Sequence, residues 1–157
     1  MAFEVSWSGD KVAFYSNRTG RIELYVLYLK SREVVQLTNG EAPTGVRAGM
    51  VWTRDDKNII FCKDSKDDER HGLYEINLET KQVSQLTDSP ESQEYAHEVH
   101  PDNKHVTVAS IKAGHMVIHL VDLATKAWRQ LTNFSFPAHP ASWSPDGECL
   151  AFSSSSI

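Results

Sequence analysis

The chain has 157 residues and a formal net charge of −5, with 40% hydrophobic and 24% charged residues. These values are ordinary for a soluble globular domain. The acidic net charge argues against general binding of nucleic acid, and no apolar run approaches the roughly 18 residues of a membrane span. We therefore expect neither nucleic acid nor a membrane span.

We expect no targeting signal at the start of the chain. Residues 1–7 (MAFEVSW) have neither the cationic start nor the apolar core of a signal peptide. The chain as written is therefore expected to stay in the cytoplasm, and a periplasmic location is expected only if it is part of an exported protein.

The first part of the chain predicts three strands. Short apolar or alternating runs typical of β-strands occupy residues 12–15, 22–26 and 34–38. A tryptophan, Trp7, precedes them and lies seven positions before Phe14, whereas Trp52 lies nine positions before Phe61. We therefore predict that the first turn of this segment is two residues shorter than its later counterpart.

The next part of the chain repeats the plan with four strands. The predicted elements are a strand over 49–52, a polar turn over 53–57, and strands over 58–62, 72–78 and 82–87. Residues 72–78 alternate apolar and polar residues, which is typical of a half-buried strand. The last strand is polar and suits the outer edge of a sheet.

Two signals recur along the whole chain. Leu-Thr pairs begin at Leu37, Leu86 and Leu131, with spacings of 49 and 45 residues. A second signal occurs at Trp7-Ser8, Trp52-Thr53, Val99-His100 and Trp143-Ser144, with spacings of 45, 47 and 44 residues. A common period in the forties with strand-type sequence indicates the blades of a β-propeller.

We predict an all-β fold, a partial β-propeller of about three and a half four-stranded antiparallel blades. The single domain spans 1–157, with blade 1 over about 3–38, blade 2 over about 46–87, blade 3 over about 94–132 and half of blade 4 over about 138–155. We expect Trp7, Trp52 and Trp143 to pack between blades, with Val99 as a smaller counterpart. Trp128 lies outside this register and is a candidate for a surface contact.

The repeats resemble those of TolB-type propellers. The resemblance rests on WSPDGECLAF at residues 143–152, on AFYSNRTG at residues 13–20 and on the recurring Leu-Thr pairs, and it spans essentially the whole chain. Similar repeats build the TolB propeller and the N-terminal propellers of prolyl-oligopeptidase-type serine peptidases. Because such propellers close with about six to eight blades, the resemblance implies that this chain supplies about half a ring. It departs from the pattern at the first turn and at Val99.

Four polar residues are candidates for a binding site at the mouth of the propeller channel. They are Arg47, Glu94, His97 and His139, which lie in first strands or in the loops leading to them. First strands of blades line the channel of a propeller, so these side chains are expected to meet a ligand there.

A metal site is the alternative interpretation of the histidines. Zn²⁺ or Mn²⁺ accepts imidazoles such as His97, His100 and His139 with a carboxylate from Glu94 or Glu98, as in a channel-metal lyase. Residues three apart on a strand face opposite sides, so His97 and His100 are not expected to face the channel together. We therefore expect no metal and no cofactor. The acidic segment 64–69 is expected to be a solvated loop rather than a calcium site.

The expected function is that of a non-catalytic TolB-like scaffold that binds a protein or peptide. No Gly-x-Ser-x-Gly nucleophile elbow is present. Open blade faces expose apolar surface, so we expect either a fragment of a longer protein or self-association. The alternative is the substrate-gating propeller of a prolyl-oligopeptidase-type peptidase whose catalytic domain lies elsewhere. Cys62 and Cys149 are expected to be small buried thiols without a bridge.

Overall fold

The computed structural model describes residues 3–43, 50–64, 70–87, 92–111 and 114–155. Every regular element within these ranges is a β-strand. The fourteen strands are β1 (Phe3–Val5), β2 (Lys11–Ser16), β3 (Glu23–Tyr28), β4 (Glu33–Gln36), β5 (Val51–Trp52), β6 (Asn58–Asp64), β7 (His71–Asn77), β8 (Val83–Gln85), β9 (Glu94–Val99), β10 (His105–Ser110), β11 (Val117–Asp122), β12 (Trp128–Gln130), β13 (Ala138–Trp143) and β14 (Leu150–Ser154). These ranges contain no helix that is long and apolar enough to cross a membrane.

The strands form four antiparallel sheets in chain order. Three sheets have four strands each, β1–β4, β5–β8 and β9–β12, and the last contains β13 and β14. Within every sheet each strand pairs with its neighbour in sequence, which is the topology of a propeller blade. The prediction of an all-β partial propeller of about three and a half blades is confirmed. We refer to the sheets as blades 1 to 4.

Apolar side chains join consecutive blades. Leu24 and Val26 of blade 1 belong to one core with Trp52 and Phe61 of blade 2. A second core joins the opposite face of blade 2 to blade 3. We call the face of a blade that is turned towards the preceding blade its leading face, and the opposite face its trailing face. At each of these junctions the trailing face of one blade therefore packs against the leading face of the next.

The recurring Leu-Thr pair has a structural role. In three blades the threonine hydroxyl accepts a hydrogen bond from an amide near the start of the third strand, Leu24 N to Thr38 at 2.8 Å, Leu73 N to Thr87 at 2.8 Å and Ile118 N to Thr132 at 3.0 Å. The glutamine before each pair donates to the threonine carbonyl, from Gln36 at 2.7 Å, Gln85 at 2.9 Å and Gln130 at 2.6 Å. Gln-Leu-Thr thus fastens the fourth strand to the third.

The first turn has the same length in all four blades, which corrects the sequence-based prediction. The last residue of each inner strand pairs with the residue seven positions later, in the pairs Val5–Val12, Trp52–Ile59, Val99–Val106 and Trp143–Leu150. The counterpart of Trp52 is therefore Val5, not Trp7. The sequence contains Trp7-Ser8 two residues after Val5-Ser6, so aligning the tryptophans displaced the first copy by two positions.

Trp7 consequently lies in a turn and not between blades. Its side chain is 48% exposed, whereas that of Trp52 is 2% exposed. The indole Nε1 of Trp7 donates to the Trp52 carbonyl at 3.3 Å. The guanidinium of Arg54 lies over the Trp7 ring, 3.5 Å from its centroid. The prediction of an inter-blade core position was correct for Trp52 and wrong for Trp7.

The equivalent turns touch one another at one end of the blades. The Asp56 carboxylate accepts from the Trp7 amide at 2.7 Å and from the Ser8 amide at 3.0 Å. One blade further on, the Asn103 side chain accepts from the Arg54 amide at 2.6 Å. Asp56 and Asn103 occupy the same position of their turns, with φ of 56° and 57°. We call these turn-to-turn contacts the turn ladder.

Between blades 3 and 4 the turn ladder consists of different contacts. Blade 3 has Pro101 where the earlier turns have an amide donor, and blade 4 has Gly147 where they have an acceptor side chain. Instead, the His100 ring lies 3.1 Å from the Gly147 carbonyl through Nε2. A Cβ built on Gly147 would lie 2.8 Å from this ring, and Gly147 has φ of 76°, so both space and conformation require glycine.

Among the further expectations about single residues, the one for Cys149 needs correction. Cys62 is buried as expected, and burial raises the pKa of its thiol to about 12. Cys149 is exposed, because it lies in the turn before β14 and no third strand of blade 4 covers it within the described residues. Cys62 and Cys149 are not joined by a disulfide bond. Trp128 is half-buried against the second core and meets the His119 ring edge-on at 5.1 Å, and its role in a surface contact stays a prediction.

Candidate functional site

The inner strands of the four blades line a groove. Adjacent inner strands contact one another in the order β1, β5, β9 and β13. Two cavities of about 420 Å³ each open on this side, and both are lined by Glu4, Val51 and His97. Met50, Met116 and His139 line the second cavity as well. We call the surface formed by these six residues the inner groove.

A β-bulge places His97 in the groove. The pairing of β9 with β10 shifts between Thr107 and Val108, so His97 has no direct partner on β10. Such a bulge turns a side chain out of the regular alternation. The imidazole is exposed to the groove, and burial by the surrounding walls lowers its pKa, with a smaller contribution from nearby His139. His97 therefore presents mainly a neutral imidazole at neutral pH.

His139 lies on the next inner strand but not at the equivalent position. It pairs with Ser153, whereas its structural counterpart in blade 3 is Tyr95, which pairs with Ala109. Both His97 and His139 line the second cavity. Two imidazoles on adjacent blades are suited to exchange hydrogen bonds with a polar ligand.

Glu4 completes the polar lining and escaped the sequence analysis. Burial raises the pKa of its carboxyl group above the ordinary value, since the groove walls restrict hydration of the charge. Its backbone carbonyl accepts the Trp52 indole N–H at 3.1 Å, which ties β1 to blade 2. The structural alignment places Glu4, Val51, Glu98 and Ser142 at one position of the inner strands, immediately before Val5 and its counterparts.

Glu94 has a different role from the one expected. Its side chain is fully buried, and its carboxylate accepts hydrogen bonds from the hydroxyls of Thr87 and, at 3.0 Å, Ser92. These contacts hold the start of blade 3 against the end of blade 2, so Glu94 is not offered to the groove. Arg47 lies outside the described residues, as do residues 65–69 of the acidic loop.

The histidines do not assemble in the way a channel metal would require. Among the residues that the structure describes, one group of three ligand-type side chains has its ligand atoms within 4.8 Å of one another, and it contains His100, Asp102 and His105. His97 and His139 are not in that group. Glu98 is engaged elsewhere, because it accepts from Arg54 Nη2 at 2.8 Å and from the Trp143 amide at 2.9 Å.

Comparison with known proteins identifies the repeat family. The family model of the TolB beta propeller domain matches residues 1–156. No curated protein matches the chain significantly.

Similar solved structures are propeller proteins. TolB from Acinetobacter baumannii superposes with a TM-score of 0.78 at 21% identity, over 97% of this chain and 37% of that one. A protein assigned as TolB from Agrobacterium tumefaciens gives a TM-score of 0.79 at 19% identity, over 98% of this chain and 53% of that one. A prolyl endopeptidase gives 0.67 at 17% identity, over 91% of this chain and 23% of that one. The chain thus spans about half or less of these proteins, and the likeness concerns the fold.

Proposed function

Because the chain belongs to the family of TolB β-propeller domains, we propose that it is a non-catalytic scaffold that binds a protein or peptide in the inner groove. The observation that carries the proposal is the groove itself, where His97 and His139 stand on adjacent inner strands among apolar side chains such as Met50 and Met116. A mostly apolar cleft with a few convergent polar groups is the usual form of a binding site.

The groove suits an extended segment of polypeptide. Its two cavities share lining residues and run along the inner strands, so a ligand bound there contacts several blades. Thioether side chains adapt to different apolar surfaces, and a neutral imidazole both donates and accepts hydrogen bonds. These properties favour peptide backbone and apolar side chains over a strongly charged ligand.

The test is a screen of a linear peptide library displayed on phage against the whole chain. We expect enriched peptides whose affinity falls about tenfold or more on His97→Ala or His139→Ala, since each change removes a hydrogen-bonding group from the cleft. His115→Ala is the matched control, because His115 is outside the groove set and its Nε2 contacts the Phe134 carbonyl at 2.8 Å. Enriched peptides that bind both groove variants as tightly as the wild type would contradict the proposal, as would a screen without enrichment.

The alternative is that this chain is the substrate-gating propeller of a prolyl-oligopeptidase-type peptidase. The propeller of the prolyl endopeptidase superposes on most of this chain, which supports a gating propeller as the second candidate. It predicts that the groove variants leave peptide binding unchanged and that a hydrolase domain accompanies this sequence in its parent protein. The full-length coding sequence distinguishes the two.

Self-association through blade 1 is a further part of the proposal. Phe3 and Val5 are 65% and 46% exposed, and their cross-strand partners Phe14 and Val12 lie on the same leading face. In blade 2 the corresponding leading face packs against a trailing face. We propose that the leading face of blade 1 accepts the trailing face of a blade from a second copy.

Light scattering behind a sizing column measures this directly. We expect a dimer or larger species for the wild-type chain, and a shift to monomer for Phe3→Glu, because a buried unpaired carboxylate opposes the contact. Leu29→Glu is the control, since Leu29 is 46% exposed but follows β3 in a turn. A wild-type chain that remains monomeric at every concentration would refute the proposal.

A further inference from the structure

A cluster of two imidazoles and one carboxylate occupies the first turn of blade 3. His100 begins the turn after β9, Asp102 lies within it and His105 begins β10. The Asp102 carboxylate lies between the rings, with Oδ1 3.0 Å from His100 Nδ1 and Oδ2 2.7 Å from His105 Nδ1. The three side chains are partly buried, with 17%, 32% and 32% of their surfaces exposed in chain order. None of them belongs to the inner groove.

The turn itself does not need these imidazoles. In the other blades the residue equivalent to His100 is a hydroxyl, which accepts from the amide at the end of the turn, Lys11 N to Ser6 at 3.1 Å, Asn58 N to Thr53 at 3.0 Å and Cys149 N to Ser144 at 2.9 Å. In blade 3 the equivalent amide is that of His105, and it donates to the Asp102 carboxylate at 3.3 Å. Blade 3 therefore has a closed turn and, in addition, two rings facing one carboxylate.

The far side of each ring faces an acceptor. His100 Nε2 lies 3.1 Å from the Gly147 carbonyl, and His105 Nε2 lies 3.6 Å from Asp122 Oδ2. The Nε2 proton of His100 is directed at the Gly147 carbonyl and leaves Nδ1 with its lone pair, as is typical of metal-binding histidines. His100 Nδ1 also accepts from the Asp102 amide at 3.2 Å, which agrees with that tautomer.

His100 Nδ1 keeps its lone pair, since it accepts from the Asp102 amide. His105 Nδ1 donates to Asp102 Oδ2 at 2.7 Å, so an ion that binds this nitrogen displaces its proton.

We propose that His100, Asp102 and His105 bind a divalent transition-metal ion of the Zn²⁺ class through the two Nδ1 atoms and the carboxylate. Their ligand atoms already lie within 4.8 Å of one another. Metal–nitrogen and metal–oxygen bonds of about 2.0 to 2.2 Å require only a small closing movement. Two imidazoles with one carboxylate leave a further coordination position for water or an external ligand.

The ion would also fasten blade 4 to blade 3. His100 stacks edge-on against the Trp143 ring at 4.5 Å and contacts Gly147, both in or beside the first turn of blade 4. Fixing the His100 ring by coordination would hold these contacts in place. Occupancy of the site is thus expected to raise the thermal stability of the chain.

The experiment is a titration of the metal-free chain with Co²⁺ and Zn²⁺, followed by visible absorption for Co²⁺ and calorimetry for Zn²⁺. We expect one ion per chain with ligand-field absorption typical of nitrogen and oxygen ligands, and a rise in Tm with Zn²⁺ but not with Mg²⁺. His105→Gln is expected to weaken binding by about tenfold or more. Asp102→Asn keeps an acceptor oxygen for the turn and is the second variant.

The matched control is His115→Gln, which removes one histidine that lies outside the cluster. It is expected to retain wild-type affinity and the wild-type Co²⁺ spectrum. Circular dichroism of each metal-free variant establishes that the fold is kept. A wild-type chain that binds neither ion, or a His105→Gln variant that binds Zn²⁺ as tightly as the wild type, would overturn the proposal.

Discussion

Replacing Trp52 with Ala is expected to cost about 3 to 5 kcal/mol of unfolding free energy, as is usual for deleting a buried tryptophan. Its side chain is 2% exposed and packs in the core between blades 1 and 2. The change also removes the indole donor of the Glu4 carbonyl. Urea denaturation followed by circular dichroism measures the loss.

Trp7→Ala is the natural comparison, because it removes the same side chain from the turn. The expected loss is about 1 kcal/mol or less, since Trp7 is 48% exposed and mainly contributes a cation–π contact with Arg54. Equal losses at the two positions would mean that Trp7 is a core residue after all, and that the register of the first blade is wrong.

Thr87→Val is expected to destabilise the chain by about 2 to 4 kcal/mol, although it preserves the shape of the side chain. The hydroxyl accepts from the buried Leu73 amide at 2.8 Å and donates to the buried Glu94 carboxylate. Valine leaves the Leu73 amide without this acceptor and removes one hydrogen-bond donor from the Glu94 carboxylate. The same denaturation experiment provides the measurement.

Thr132→Val separates the contribution of the bond from the backbone amide from that of the bond to the glutamate carboxylate. Thr132 accepts from the Ile118 amide at 3.0 Å, but Ala138 stands at the register position of Glu94 in the last blade. The expected loss is therefore only about 1 to 2 kcal/mol. If both threonine variants lose the same unfolding free energy, the hydrogen bond from Thr87 to Glu94 contributes little to stability. The two junctions then do not differ in free energy on its account.

The period of the sequence predicted the fold because each repeated residue has a repeated task. The Thr of every Leu-Thr pair satisfies a backbone donor at the same place in its blade, which explains why the pair recurs. The register of the first blade was not predictable from tryptophans alone, since Val5 fills the position of Trp52 and Trp7 belongs to the turn. Only the strand pairing distinguishes these two assignments.

The site was predicted less well, for physical reasons. His97 and His139 lie at different positions of their inner strands. A β-bulge exposes His97, and the alternation of apolar and polar residues in its strand does not reveal that bulge. Glu94 looked like a channel residue, but its orientation depends on Thr87 and Ser92, which lie seven and two residues before it and outside its strand. Glu4 was hidden by the shifted register of the first blade. Side-chain direction at irregular strands is decided by tertiary contacts.

The turn ladder has a consequence for how the chain comes apart. Arg54 is bonded through its amide to Asn103, through its guanidinium to the Val99 carbonyl at 2.9 Å, and stacks on Trp7. Opening of blade 2 must therefore break contacts with blade 1 and with blade 3 together. We thus expect blades 1 to 3 to open as one cooperative unit.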